Sequence, residues 1–158
     1  MRNEFRKLMI EQVQEDLNDF LDLTKKPVPK KGWAHVMRIA LGMPRRVLAT
    51  RIGCSQNRIA SIEQREARGT ATLDDLAEIA RAMNCKLVYS LVPIEPIEVQ
   101  LKKQARIVAK ARIRPVNHSM ILSGKGLTPT QLQREEDSLV QELLNGNPRD
   151  LWDTDLDL

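Results

Sequence analysis

The chain has 158 residues, of which 42% are hydrophobic and only 3% aromatic. This length supplies one sizeable core and excludes most multidomain enzymes, and such an aliphatic composition favours packed helices. The net charge of +4 hides two opposed blocks, because residues 31–118 carry 16 basic and seven acidic side chains and residues 119–158 carry three and eight. We interpret them as a basic surface for an anionic partner and an acidic interaction surface; ordinary solvated faces are the alternative.

The first predicted element is an amphipathic helix. Apolar side chains recur every three or four residues, which is helical spacing. They are Phe5, Met9, Val13, Leu17 and Phe20. The run ends near Thr24, because residues 25–31 are rich in lysine and interrupted twice by proline. Residues 1–30 are therefore predicted to form an N-terminal helix and a linker.

Residues 31–93 carry the pattern of a compact domain with four short helices. The first ends at Gly42 and has an apolar stripe predicted to face the core. The stripe consists of Trp33, Val36, Met37, Ala40 and Leu41. The second helix starts at Pro44 and stops at Gly53, while Ser55 and Thr72 are good N-caps for the third and fourth.

After the fourth helix the pattern changes to that of a β-strand bounded by Pro93. The predicted strand consists of Leu87, Val88, Tyr89, Ser90, Leu91 and Val92. A lone strand has no partner in a helical domain. We therefore expect it to pair with its own copy in a second subunit, giving a two-fold homodimer.

Residues 94–158 are predicted to hold a basic helix over residues 99–113, a less regular stretch over 115–127, and a second helix. The second helix begins at Thr128 and Pro129 and ends at Gly146. The last residues alternate aspartate with large apolar groups. The fold class expected is mostly α: a compact helix-turn-helix domain with one C-terminal strand for dimer pairing, plus N- and C-terminal helical extensions.

The turn between the second and third helices carries the functional pattern. Gly53, Cys54 and Ser55 form a three-residue turn of the kind that joins the two helices of a helix-turn-helix. The third helix then presents polar side chains suited to base edges in the major groove of double-stranded DNA. The predicted base-reading residues are Gln56, Asn57, Arg58 and Ser61. A polar face that is merely solvated is the alternative.

Basic and hydroxyl side chains around this turn are predicted to bind the DNA phosphates. Arg45 and Arg46 begin the second helix, where a phosphate would pass, and helix N-termini also favour anions. The full predicted set is Arg45, Arg46, Ser55, Arg65 and Arg68.

Two resemblances follow from these residues. Residues 33–92 resemble phage-repressor-like helix-turn-helix domains. The residues that carry this resemblance are Leu48, Ala49, Gly53, Ser55, Gln56, Ile59, Ile62 and Glu63. The run from Ile62 to Leu73, the run from Cys85 to Pro93 and Leu151-Trp152-Asp153 are similar to the family called mobile mystery protein A. That resemblance implies a repressor and antitoxin encoded beside a Fic-domain toxin.

The chain departs from these patterns at three places. Pro44-Arg45 stands where the phage-repressor pattern often has Gln or Thr, and no glycine follows Glu63 until Gly69. Antitoxins of Fic proteins commonly inhibit through a helix with Ser or Thr, three residues, Glu, and then Gly or Asn. Here Ser138 and Glu142 have that spacing, but Leu143 follows. We therefore assign no ATP-blocking glutamate.

An enzyme is disfavoured by the sequence. His35 and His118 are the only histidines, neither at ligand spacing from cysteines or paired carboxylates, and no phosphate loop or nucleophile elbow is present. We expect no catalytic residue, no cofactor and no metal. Two cysteines without a secretory pattern favour a reducing cytoplasm, and no apolar stretch suits a membrane. A protein whose main role is to neutralise a partner protein, with DNA binding secondary, is the alternative to a transcription regulator.

Overall fold

A computed structural model describes residues 2–152, with side chains from Asn3 onward. The secondary structure in this range is helical. Its elements are α1 (Arg2–Asn18), α2 (Leu21–Thr24), α3 (Trp33–Ala40), α4 (Arg45–Ile52), α5 (Gln56–Ala67), α6 (Leu73–Ala82), α7 (Ile97–Leu122), α8 (Pro129–Asn145) and a 3₁₀ helix (Pro148–Leu151). The described residues fall into two compact units, one of residues 20–91 and one that joins 2–19 to 92–152.

The unit of residues 20–91 has an aliphatic core between α3, α4, α5 and α6. Its buried members are Ala34, Leu48, Ala49, Ile59, Ile62, Ile79 and Met83. Burying one large side chain of this kind contributes about 1.5–3 kcal/mol. The apolar residues that carry the resemblance to phage-repressor domains, Leu48, Ala49, Ile59 and Ile62, therefore lie in one core, and the expectation of a mostly α protein with a helix-turn-helix is confirmed.

The apolar stripe predicted for the first helix of this unit does not face the core. Trp33 is 55% exposed and Leu41 is 50% exposed, and the other members of the stripe are exposed as well. The residues of α3 that face the core are instead Ala34 and Arg38. An arginine is buried at this place because a carboxylate from α5 neutralises it, and a hydropathy pattern carries no signal of that pairing.

The predicted β-strand is wrong. Residues 85–93 have no regular secondary structure, and no strand occurs between residues 2 and 152. Tyr89 and Leu91 are 69% and 89% exposed, whereas Leu87 is half-buried. Leu87, Tyr89 and Leu91, which a strand would place on one face, therefore differ in burial. Strand propensity expresses how well a residue fits a paired, half-buried sheet, and no ladder partner lies within the described chain.

In the second unit α7 and α8 pack against each other around a small core. The buried residues are Ala105, Val108, Ala109, Val140, Leu143 and Leu151. Thr128 and Gln131 form a capping box at the start of α8. The 3₁₀ helix places Leu151 fully inside this core. No helix among the described residues has the length and apolarity that crossing a bilayer requires.

Helix α7 continues well beyond the basic stretch that predicted it. It runs through Pro115 to Leu122, although residues 115–127 were expected to be less regular. The side chain of Asn117 accepts a hydrogen bond from the backbone N–H of Leu127 at 3.2 Å. This bond fastens the loop that follows α7 to its last turns.

Candidate nucleic-acid interface

The turn between α4 and α5 is formed by Gly53, which ends α4, and Ser55, which caps the start of α5. Gly53 adopts a left-handed φ of 82° and donates its N–H to the carbonyl of Ala49 at 2.8 Å, which ends α4. The Ser55 hydroxyl accepts a hydrogen bond from the N–H of Arg58 at 3.2 Å, which starts α5. Leu48 and Ile59 are fully buried between the helices. The first turn of α5 is therefore fixed in position.

Three of the four predicted base-reading residues lie together on the exposed surface of α5. They are Gln56, Asn57 and Ser61, which are adjacent or one turn apart. No described residue forms a hydrogen bond with their side chains. Glutamine and asparagine both donate and accept, which is the chemistry that an adenine edge requires. This face is therefore available to a ligand without breaking an internal bond.

Arg58, the fourth, is bound to α6. Its Nη2 lies 2.8 Å from a carboxylate oxygen of Glu78 and 3.4 Å from one of Asp75. The negative charge of Glu78 raises the pKa of Arg58, and the hydrogen bonds that Arg58 donates to both carboxylates act in the same direction. These two carboxylates therefore compete with a guanine or a phosphate for Nη2 of Arg58.

The predicted phosphate-binding residues divide into paired and unpaired groups. Arg45 contacts Glu63 at 3.0 Å and Arg65 contacts Asp75 at 2.8 Å. Arg46 and Arg68 are exposed, and neither forms an ion pair with any of residues 3–152. The Ser55 hydroxyl serves as the cap of α5 while its own hydrogen stays available.

A buried ion cluster centred on Glu63 joins α3, α4 and α5. Glu63 is 3% exposed and accepts hydrogen bonds from Arg38 at 2.6 Å and from Arg45 at 3.0 Å. His35 Nδ1 lies 3.2 Å from the same carboxylate. Burial alone would raise the pKa of Glu63, but the hydrogen bonds from Arg38, His35 and Arg45 outweigh it, so the pKa is lowered. The cluster therefore holds a charged carboxylate inside the domain.

A second carboxylate from α5 caps α3. The two oxygens of Glu66 each accept one backbone N–H, from Trp33 and from Ala34, both at 2.9 Å. Its negative charge also lies at the positive end of the α3 dipole. Sequence reasoning missed Arg38, Glu63 and Glu66 as structural residues. The spacing of the two glutamates, three residues apart on one face of α5, was the available signal.

Gly32 makes this cap possible, and its replacement by alanine is expected to destabilise the unit. Gly32 has a φ of 81°, and a Cβ there would lie 2.6 Å from a Glu66 oxygen. The carboxylate would have to move and release two backbone donors, so we expect a loss of about 1–3 kcal/mol. Thermal unfolding followed by circular dichroism measures it.

Gly42→Ala is the matched control, because Gly42 also has a positive φ but open space at its Cβ position. Any loss of stability in Gly42→Ala therefore comes from backbone strain alone, without loss of the Glu66 cap. Equal loss of stability in the two variants would show that the Glu66 cap contributes nothing.

Among the described residues no three His, Cys, Asp or Glu side chains come together in a way that could hold a metal ion. The chemistry that the exposed α5 face offers is hydrogen bonding and positive charge, which suit binding rather than catalysis.

Comparison with known proteins agrees with this geometry. Residues 36–90, about a third of the chain, match a family model described as helix-turn-helix, HTH_3. The matched segment contains α4, the turn and α5. No curated protein and no solved structure matches the chain. The match supports a repressor-like protein with a helix-turn-helix and a role as a DNA-binding transcription regulator.

Proposed function

We propose that this helix-turn-helix protein is a sequence-specific repressor of its own transcription that binds double-stranded DNA as a homodimer. The observation that carries the proposal is the exposed α5 face of Gln56, Asn57 and Ser61, which satisfies none of its hydrogen-bonding capacity within the described chain. This face begins the second helix of a helix-turn-helix, the end that reaches base edges in the major groove.

The charged residues around α5 act as two classes in this proposal. Arg46 and Arg68 contact phosphates directly, since they have no internal partner among residues 3–152. For Arg45, Arg58 and Arg65 the DNA competes with carboxylate partners for the guanidinium. Base reading is thereby concentrated on Gln56 and Asn57.

The homodimer is supported by an apolar surface on the same unit. Trp33, Met37, Leu73, Val88 and Tyr89 line a groove of about 510 Å³. We propose that a second copy covers it, because duplex DNA offers a second half-site about 34 Å away and two recognition helices read twice as many base pairs as one. No strand pairing is involved.

A selection experiment tests the proposed function. The full chain is incubated with a randomised duplex library, enriched sequences are read, and the affinity for the winner is compared with that for scrambled DNA. We expect a palindromic winner bound at least a thousandfold more tightly than scrambled DNA. Failure to enrich any sequence would contradict sequence-specific binding.

Replacing Arg46 by alanine is expected to weaken binding to every DNA sequence alike. One lost phosphate contact should reduce the slope of log K against log salt by ~0.9. Binding titrations at several salt concentrations measure this. The matched control is Arg134→Ala, which removes from α8 an exposed arginine that forms no ion pair with any of residues 3–152. An equal change in the slope for this variant would show that overall charge, rather than a phosphate contact of Arg46, causes the effect.

An antitoxin role is the second candidate, and the unit of residues 2–19 and 92–152 supports it because base reading does not use this unit. The resemblance to mobile mystery protein A identifies the proposed partner as a Fic-domain toxin. Leu143 is 3% exposed and belongs to the α7–α8 core. Helix α8 is thus an amphipathic packing helix, and inhibition through Glu142 is not part of this proposal. Co-purification with the product of the neighbouring gene tests the role.

A further inference from the structure

The outward face of α1 is apolar and uncovered. Phe5 and Leu8 are 67% and 64% exposed, and Met9 and Val13 are 49% and 38% exposed. Phe5, Met9 and Val13 belong to the stripe whose spacing predicted an amphipathic helix, and this part of the stripe does not face the core. Four large apolar side chains on two turns of one helix are more than scattered surface residues.

The orientation of α1 is fixed by bonds on its other face. Arg6 donates to the carbonyl of Leu144 at 2.8 Å, and the side chain of Gln14 accepts the N–H of Ile97 at 3.3 Å. Asn3 donates to the carbonyl of Asn145. Turning Phe5 and Leu8 inward would break these bonds, so the apolar face is held outward.

Two carboxylates form an acidic edge along this face. Phe5, Leu8 and Met9 line a groove of about 610 Å³ together with Gln12, Glu11 and Glu15. Among the described residues no side chain forms an ion pair with either glutamate, and Lys7, one helical turn before Glu11, lines a separate cavity. Like charges one helical turn apart destabilise a helix slightly. Cations from a partner would relieve that repulsion.

We propose that this face of α1 binds a basic amphipathic helix of another protein. A helix laid along the groove would place apolar residues three and four apart on Phe5, Leu8 and Met9. Lysine or arginine on the edge of that helix would pair with Glu11 and Glu15. The interaction goes beyond DNA binding and does not depend on it, since α1 lies outside the unit that carries α5.

The negative charges of Glu11 and Glu15 disfavour the two other possible occupants of this apolar face, which are a lipid surface and a second copy of the chain. Anionic lipid headgroups would repel Glu11 and Glu15. In an antiparallel pair with a second copy, each acidic edge would oppose its own counterpart. In a parallel pair the acidic edge of one copy would face Val13 and Arg6 of the other. Arg6 would not neutralise that edge, because its guanidinium already donates to the carbonyl of Leu144.

The test uses a labelled peptide of about fourteen leucine and lysine residues, with leucine at helical spacing, and a matched peptide with glutamate for lysine. Fluorescence anisotropy with the full chain measures both affinities. We expect the lysine peptide to bind at least tenfold more tightly than the glutamate peptide. Phe5→Gln/Leu8→Gln and Glu11→Lys/Glu15→Lys should each weaken its binding about tenfold.

The control is Glu135→Lys/Asp137→Lys, which reverses two exposed charges on α8 and should leave binding unchanged. Circular dichroism checks that each variant is folded, as expected for exposed positions. Equal binding of both peptides, or wild-type affinity in the α1 variants, would overturn the proposal. Two further results would overturn it. The first is self-association of the wild-type chain in sedimentation that Phe5→Gln/Leu8→Gln abolishes, and the second is binding of the wild-type chain to anionic vesicles that the same variant abolishes.

Discussion

Asn57→Ala is expected to reduce the preference for the selected operator while leaving the affinity for scrambled DNA unchanged. Asn57 is exposed, begins α5 and has no hydrogen-bond partner among the described residues, so its side chain is free for a bidentate contact with one base. Loss of such a contact costs about 1–3 kcal/mol, roughly a five- to 150-fold change in affinity. Titrations of operator and scrambled duplexes with the full chain measure it.

The matched control for Asn57→Ala is Gln64→Ala. Gln64 is another exposed amide on α5, seven residues later and so two helical turns from the end that we propose enters the major groove. The Gln64→Ala variant should keep the wild-type preference for the operator over scrambled DNA. If the two substitutions lowered operator affinity alike, base reading would not be concentrated at the start of α5.

Glu63→Gln is expected to have the largest effect on stability. It leaves the buried guanidinium of Arg38, 5% exposed, without its carboxylate. Breaking one side of a buried pair in this way costs about 3–5 kcal/mol. Because Trp33 lies in the unit of residues 20–91 and Trp152 in the other, a Trp152→Phe background lets fluorescence report the unfolding of this unit alone in denaturant.

Two further variants separate pairing from burial. Glu78→Gln removes a carboxylate from an exposed arginine pair and should cost less than about 1 kcal/mol. Arg38→Met/Glu63→Leu removes both buried charges and should recover stability relative to Glu63→Gln. A double variant no more stable than the single one would show that the unpaired charge is not the source of the loss.

The contribution of Glu63 should also depend on pH. Its pKa is lowered in the folded chain by Arg38, His35 and Arg45 against the opposing effect of burial. The stabilisation is therefore complete above the ordinary glutamate pKa of about 4.3 and is lost as the pH falls through the lowered value. The difference in the free energy of unfolding between wild type and Glu63→Gln should accordingly become smaller in acid. A constant difference from neutral pH to strong acid would contradict this assignment.

The helix-turn-helix could be predicted because its signals are local. Gly53 ends α4 in a left-handed conformation and Ser55 caps α5, and each effect needs only neighbouring residues. The buried contacts of α3 could not be predicted in the same way. Arg38 is buried because Glu63 lies opposite it in space, 25 residues later, and the apolar residues beside it are left exposed.

The missing strand and the exposed face of α1 have related causes. Residues 87–92 have the composition of a strand, but strand formation requires a partner that the described chain does not supply. The stripe of Phe5, Met9 and Val13 was correctly assigned to a helix, yet periodicity cannot say which face packs. Arg6 and Gln14 settle that through bonds to distant residues.

The fixation of α5 has a thermodynamic consequence for DNA binding. Ser55 caps one end of this helix, and near its other end Glu63 and Glu66 bind α3 and α4. The helix that we propose reads DNA is therefore pre-organised, and its association with DNA should require little coupled folding. The heat-capacity change of binding should therefore correspond to the surface buried between two partners that are already ordered. Because the helix does not adjust its conformation to a mismatched base, the mismatch should not be compensated by rearrangement of α5.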